Sequence, residues 1–192
     1  MTRGSIRPGG RTERVRQTVA DTVLQLIKAG TTEFTMLDVA ERSGIARSTI
    51  YARWPTREAL IAEALSEHNA TFQVDNRAEW REHLHVIAAA FRDFSARPDE
   101  IVINGLTAYL GPGFLDEETH RQWEAISTRM AEPLLAAQQR GEIRPDVDTG
   151  LVIATLFTTI SGLIVIAKDV PSDDYLCQLV DLLIVGAETR RD

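Results

Sequence analysis

Residues 35–54 read TMLDVAERSGIARSTIYARW, and the spacing inside this run decides the fold. Thr35 stands before Met36 with Asp38 three residues on, a capping-box variant that starts a short helix ending near Ser43. Gly44 breaks that helix, and a second one runs from about Arg47 to Trp54, where Pro55 stops it. Ala40, Gly44 and Ile50 then fall where a helix-turn-helix needs them. Such a unit takes a small residue at the close helix crossing, a glycine with positive φ in the turn, and an apolar anchor on the second helix. Val39, Ile45 and Trp54 complete a small core. Counted from Ile50 at about 100° per residue, Ser48 and Ala52 lie on the opposite face, with Thr49 and Tyr51 on its flanks. Together with Arg47 in the first turn, these are the side chains a DNA major groove would meet. On spacing alone, an ordinary helical corner fits equally well.

The sequence on both sides is helical too. Val15, Val19, Val23, Leu26 and Ile27 form an amphipathic stripe over about 12–29, closed by Gly30. Thr56 caps a helix carrying Leu60, Ile61, Ala64, Leu65 and Phe72 on one side. Trp80, Leu84, Ile87, Phe91 and Phe94 predict a helix ending near Arg97-Pro98, and residues 99–109 a shorter one before the break at Gly111-Pro112-Gly113. Trp123, Ile126, Met130, Leu134 and Ala137 predict another over 116–140, which Pro133 must kink or split. Two apolar helices close the chain at about 149–168 and 173–188. With no run of strand alternation, the fold class is all-α, with about nine helices.

The chain has 192 residues and a formal charge of −7, a balance that speaks against a nucleic-acid partner. The average hides a split. Residues 1–60 carry ten Lys/Arg against six Asp/Glu, whereas residues 61–192 carry eleven against twenty-two. Only the first third is suited to a polyanion. A lone cysteine, Cys177, excludes an internal disulfide and a Cys-rich zinc site, and reads as a small packing residue. The opening MTRGSIRPGGR lacks the apolar stretch of a secretory signal, so a soluble cytoplasmic protein is expected.

The run Phe34-Thr35, Val39-Ala40, Ser43-Gly44-Ile45, Thr49-Ile50-Tyr51 and Trp54-Pro55-Thr56-Arg57-Glu58-Ala59-Leu60 resembles the TetR family of transcriptional regulators. It matches that family's three-helix DNA-binding head and the start of its connecting helix. In the C-terminal part only Gly141-Glu142-Ile143-Arg144-Pro145-Asp146-Val147-Asp148 is similar to a subset of members. The resemblance implies a flexible basic arm at 1–11, a helix-turn-helix domain at 12–58, and a helical effector-binding and dimerisation domain at 59–192. It implies a repressor released from a palindromic DNA operator by a small molecule. Thr35 resembles a residue that holds a phosphate at a helix N-terminus, and Tyr51 and Thr49 resemble phosphate-reaching neighbours. Arg57 stands where lysine is common, and its guanidinium would grip a phosphate with altered geometry. Ala46 departs from a frequent serine and removes a helix cap. Arg47, Ser48 and Thr49 are the expected base readers, with Ala52 offering a methyl to thymine, while Arg3, Arg7 and Arg11 would form a minor-groove arm.

Residues 149–167 hold no charge, long enough for a membrane span. Five hydroxyl residues, flanks without a positive bias, and the complementary stripe Leu176, Leu179, Val180, Leu183 and Ala187 argue against a span, and two such helices fit the interface of the homodimer that the family resemblance implies. Its two copies would pair through helices about 149–168 and 173–188 as a four-helix bundle. Thr158 and Gly162 would permit a close approach there. The resemblance also implies an effector cavity among the middle helices, which would draw on Phe91, Phe94, Ile101, Asn104, Leu106, Tyr109, Phe114, Trp123, Ile126, Met130, Phe157 and Ile160, with Thr107 and Gln122 adding polar contacts. So few charges suit a largely apolar effector.

The alternative is an enzyme. Glu82/His85 and Glu117/His120 have the Glu-x-x-His spacing of a di-iron carboxylate bundle. Yet Glu82 and His85 lie about 200° and 140° from the stripe begun by Trp80, away from the core. No phosphate loop, H-E-x-x-H or G-x-S-x-G occurs, and no cofactor or metal is implied.

Overall fold

The computed structural model describes residues 9–31, 33–69, 71–77, 79–110 and 117–189, with the backbone alone at 9, 11, 107–110 and 117–123. Among them the chain is helical, with no strand beyond an isolated antiparallel bridge between Ile143 and Glu188. The helices are α1 (Gly9–Lys28), α2 (Met36–Ser43), α3 (Arg47–Arg53), α4 (Arg57–Asn69), α5 (Trp80–Ser95), α6 (Pro98–Leu110), α7 (Glu117–Gln139), α8 (Thr149–Gly162) and α9 (Asp173–Ala187). A π-helical turn, Leu163–Ala167, extends α8 and ends at Lys168 in the left-handed region. The described residues group into two compact units. One holds the chain up to Thr71 with Leu106–His120, the other Phe72–Gly105 with the chain from Arg121 onward.

The first unit contains the head. α1 packs on α4 and α2, and α2 on α3. The stripe Val19, Val23, Leu26 and Ile27 meets Val39, Ile50, Leu60 and Ile61 in a core from which water is excluded. Packing thus keeps α4 with the head, although residue 58 divides the expected roles.

Phe72 corrects the sequence reading. Helical spacing placed it on α4, but α4 ends at Asn69, where the Thr71 amide and hydroxyl both donate to the His68 carbonyl. Phe72 instead enters an aromatic cluster of the second unit. It lies edge-on to Phe91 at 5.5 Å and to Phe157 at 6.0 Å, while Phe91 and Phe157 stack at 4.1 Å. Burial of that ring outweighs the extra turn of helix that would have reached it. Cys177, expected to pack, is exposed.

Pro133 does not split α7. Proline lacks the N–H that would bond the Arg129 carbonyl. Asn76 Nδ2 approaches that carbonyl at 3.4 Å and donates to Glu132 Oε2 at 2.9 Å. At the next residue, His83 Nε2 meets the Met130 carbonyl at 2.9 Å, while its Nδ1 accepts from the Arg77 amide at 3.4 Å. Burial and the nearby Arg77 charge hold this imidazole below its ordinary pKa, although the Met130 carbonyl opposes them.

The Gly141–Asp148 run is a bracket between α7 and α8. Gly141 takes φ +77°, Ile143 is buried, and Asp148 caps α8 through the Gly150 and Leu151 amides. The bracket holds the end of α9: the Arg144 amide donates to the Ala187 carbonyl at 3.0 Å and the Thr189 amide to the Glu142 carbonyl at 2.9 Å. Arg81 adds an ion pair to Glu188 at 3.1 Å. At the other end of α9, Arg92 pairs with Asp173 and donates to the Pro171 carbonyl.

Candidate nucleic-acid interface

The reading face begins at the cap of α2. Thr35 Oγ1 accepts from the Asp38 amide at 3.2 Å and donates to Asp38 Oδ2 at 2.7 Å, and the Thr35 amide also donates to that oxygen at 2.7 Å. These two donations from Thr35 hold the Asp38 carboxyl below the usual range. The threonine hydroxyl, expected to reach a phosphate, is therefore already engaged. The amides of Met36 and Leu37 have no partner inside the helix, so they are the donors that cap leaves for an anion.

Gly44 follows at φ +68°, a conformation that costs glycine little, and turns the chain toward α3. Ala46 caps α3 without a side-chain hydrogen bond; relative to serine this costs about 0.5–2 kcal/mol. Ile50 is fully buried and fixes the rotation of α3. That rotation leaves Arg47, Ser48, Thr49, Tyr51 and Ala52 exposed, Tyr51 at 53%. The helix puts these five on one outward surface and binds none of them into the core. Arg47 Nη2 lies 3.2 Å from Glu41 Oε1 across the turn.

Arg57 is more committed than its expected phosphate role implies. Its Nε donates to the Phe34 carbonyl at 2.8 Å and its guanidinium stacks 4.8 Å from the Phe34 ring, so it straps the start of α4 to the residue before Thr35. A polar joint that sequence reading missed lies nearby. Glu63 on α4 accepts from the Trp54 indole at the end of α3 and from Arg16 on α1, while Arg16 also donates to Glu67 at 2.7 Å. The Glu63 hydrogen bond raises the Arg16 pKa further. Arg53 reaches the Thr12 carbonyl at 3.4 Å. Arg3, Arg7 and the Arg11 side chain lie outside the described residues.

This arrangement coincides with a known head. Residues 21–64 match the family described as "Bacterial regulatory proteins, tetR family", and residues 74–183 match "Tetracyclin repressor-like, C-terminal domain". The chain belongs to the TetR family. It is 26% identical over 123 residues to the uncharacterized HTH-type transcriptional regulator Rv2250c of Mycobacterium tuberculosis, covering 62% of this chain and 64% of that one. It is 25% identical over 146 residues to the HTH-type transcriptional regulator AqdR of Rhodococcus erythropolis, covering 74% of this chain and 70% of the relative. Two solved structures share the fold. A TetR transcriptional regulator from Agrobacterium tumefaciens has a TM-score of 0.66 at 18% identity, covering 91% of this chain and 94% of its own. FadR from Bacillus subtilis, solved with stearoyl-CoA, has a TM-score of 0.69 at 18% identity, covering 88% and 98%.

In this TetR-family chain most of the expected effector residues whose side chains are described belong to one packed core. Phe91, Ile126, Met130, Phe157 and Ile160 are buried in one apolar cluster, with Phe94 and Ile101 packed against it. Asn104 is half-buried, and Leu106 groups with the head unit. The side chains of Thr107, Tyr109, Phe114, Gln122 and Trp123 lie outside the described residues. A cavity of about 330 Å³ opens elsewhere, between α8, α9 and the bracket, lined by Arg144, Leu151, Val152, Thr155, Leu182 and Leu183 among others. Glu82 is exposed and His85 lies 3.8 Å from Asp181, so this pair faces the surface. The side chains of Glu117 and His120 are outside the described residues, and the comparisons lend the di-iron alternative no support.

Proposed function

We propose that this chain is a sequence-specific DNA-binding transcriptional regulator, a repressor released from a palindromic operator by a small, largely apolar effector. The observation that carries this reading is the outward surface of α3. Arg47, Ser48, Thr49, Tyr51 and Ala52 are all exposed on a helix whose rotation is fixed by one buried isoleucine. The positive balance of residues 1–60 against an acidic remainder supports one docking orientation. In this reading the amides at the start of α2, Tyr51 and the terminal nitrogens of Arg57 hold phosphates, and Arg47, Ser48, Thr49 and Ala52 read bases. The chain acts as a binding switch rather than an enzyme, in the cytoplasm.

The active form in this reading is a homodimer through α8 and α9. Thr149–Ala167 is apolar and long enough to cross a membrane, with a mean hydropathy of 2.2 and 33% of its residues buried. Leu151, Leu182 and Val185 are each more than 60% exposed on these two helices. A second copy covering that face removes apolar surface from water and supplies the two-fold symmetry that a palindrome requires. The effector enters among the middle helices. FadR holds stearoyl-CoA on the same fold, and an acyl chain suits an apolar lining. Selection of bound sites from random DNA by the full chain tests the reading. A two-fold symmetric consensus is expected; recovery of no consensus overturns it.

A further inference from the structure

α3 breaks three local rules at its start. Ala46 provides no side-chain cap, the first turn has no acidic residue, and the first helical residue is Arg47. A cation there opposes the partial positive charge of the helix N-terminus. Sequences that violate local preferences tend to do so at functional positions and to compensate for it elsewhere. Here a compensating charge comes from outside the helix: Glu41, near the end of α2, reaches across the Gly44 turn to within 3.2 Å of Arg47 Nη2. Both side chains are more than 60% exposed, so the pair is not a packing device. An exposed pair of this kind contributes little to folding. Glu41 is also costly on a face that approaches phosphates, since its charge repels them.

We propose that Glu41 is a positioning residue that makes Arg47 a base reader rather than a phosphate binder. This rests on the DNA-binding reading above. An unpaired arginine at the rim of a groove is drawn to the backbone, which carries charge but no sequence information. Glu41 cancels part of that attraction and holds one guanidinium nitrogen, leaving the other edge of the fork for a guanine O6/N7 pair. The carboxylate thus gives up non-specific affinity and gains discrimination at one base pair.

The test uses the full-length chain and the operator it selects from random DNA. Wild type, E41Q, R47A and the double variant are titrated on that operator, on versions with each base pair exchanged, and on unrelated DNA, over a salt series. Thermal unfolding is followed alongside. E41Q keeps the shape and removes the charge. It is expected to lower the preference at the base pair read by Arg47 by about fivefold or more. It is also expected to strengthen binding to unrelated DNA and steepen the salt slope by about 0.9, the mark of one added phosphate contact. The melting temperature should not move, and in the R47A background E41Q should leave the base-pair preference unchanged and add no phosphate contact to the salt slope, keeping only the gain in affinity that comes from removing a repelling charge. Wild-type discrimination and slope in E41Q overturn the proposal. A loss at a different base pair that persists in R47A also overturns it, because Glu41 then reads a base itself. A wild-type chain that selects no sequence removes the DNA-binding reading and this proposal together.

Discussion

The head and the second unit are held by different chemistry. In the head a modest apolar core built around Val23, Ile27, Val39, Ile50 and Ile61 is bordered by polar joints, among them Arg16–Glu63–Trp54 and Arg57–Phe34. In the second unit Phe72, Phe91 and Phe157 sit within a continuous apolar cluster drawn from α5, α7, α8 and α9. The head therefore separates its tasks by residue type: apolar side chains pack, while polar ones face outward. In the second unit the residues that pack are of the same kind as those that would wrap an apolar ligand. Function stands out where its chemistry differs from that of folding.

Three measurements bear on this contrast. The largest effect belongs to the aromatic stack: Phe91→Ala should cost about 3–5 kcal/mol in denaturant unfolding. A loss under about 1 kcal/mol would mean a loosely filled cluster and would erase the distinction between the units. Next comes the polar joint. Trp54→Phe keeps an aromatic side chain but removes the pyrrole ring and its N–H donor to Glu63, the lost hydrogen bond alone costing about 1–2 kcal/mol. Because Trp54 ends α3, operator affinity should fall with stability. A variant as stable as the wild type would show the joint to be passive.

The smallest effect is a pH response confined to the second unit. His83 must stay neutral, since Nδ1 accepts from the Arg77 amide while Nε2 donates to the Met130 carbonyl. Burial and the nearby Arg77 disfavour a positive charge on the ring, while the Met130 carbonyl favours one. The folded pKa lies below its unfolded value of about 6.5. Its contribution to stability is therefore present above that value and is lost as pH falls through the folded pKa. The melting temperature should drop between pH 7.5 and 5, and His83→Gln should flatten this drop. An unchanged profile in the variant would assign the acid sensitivity to other groups.

Much of the head was legible because its signals are local. The Thr35–Asp38 box, Gly44 and the Pro55 stop each act within a few residues, and the helix boundaries follow them. The joint at Glu63 was not legible, because Arg16 and Glu63 are 47 residues apart and either reads as a solvated charge in isolation. Phe72 misled for the opposite reason: periodicity continued the helix, and a tertiary contact ended it. Asn76 gave no signal at all, since nothing in its own neighbourhood shows that Pro133 leaves the Arg129 carbonyl to be served, and His83 gave none because its partners, Arg77 and Met130, lie on other segments. The effector residues could be named only as apolar and central, a description that fits any core.

The fixing of α9 at both ends has a consequence for assembly. Arg92 holds its first turn, and the Gly141–Asp148 bracket holds its last. A helix anchored in this way can neither slide along its axis nor fray, so Leu182 and Val185 are presented in one fixed register. The conformational entropy of that surface is lost once, during folding, and would not be lost again on forming the proposed homodimer. Affinity in the proposed homodimer is then governed by how well rigid surfaces match, and a change in the bracket would loosen the pair by returning freedom to the helix.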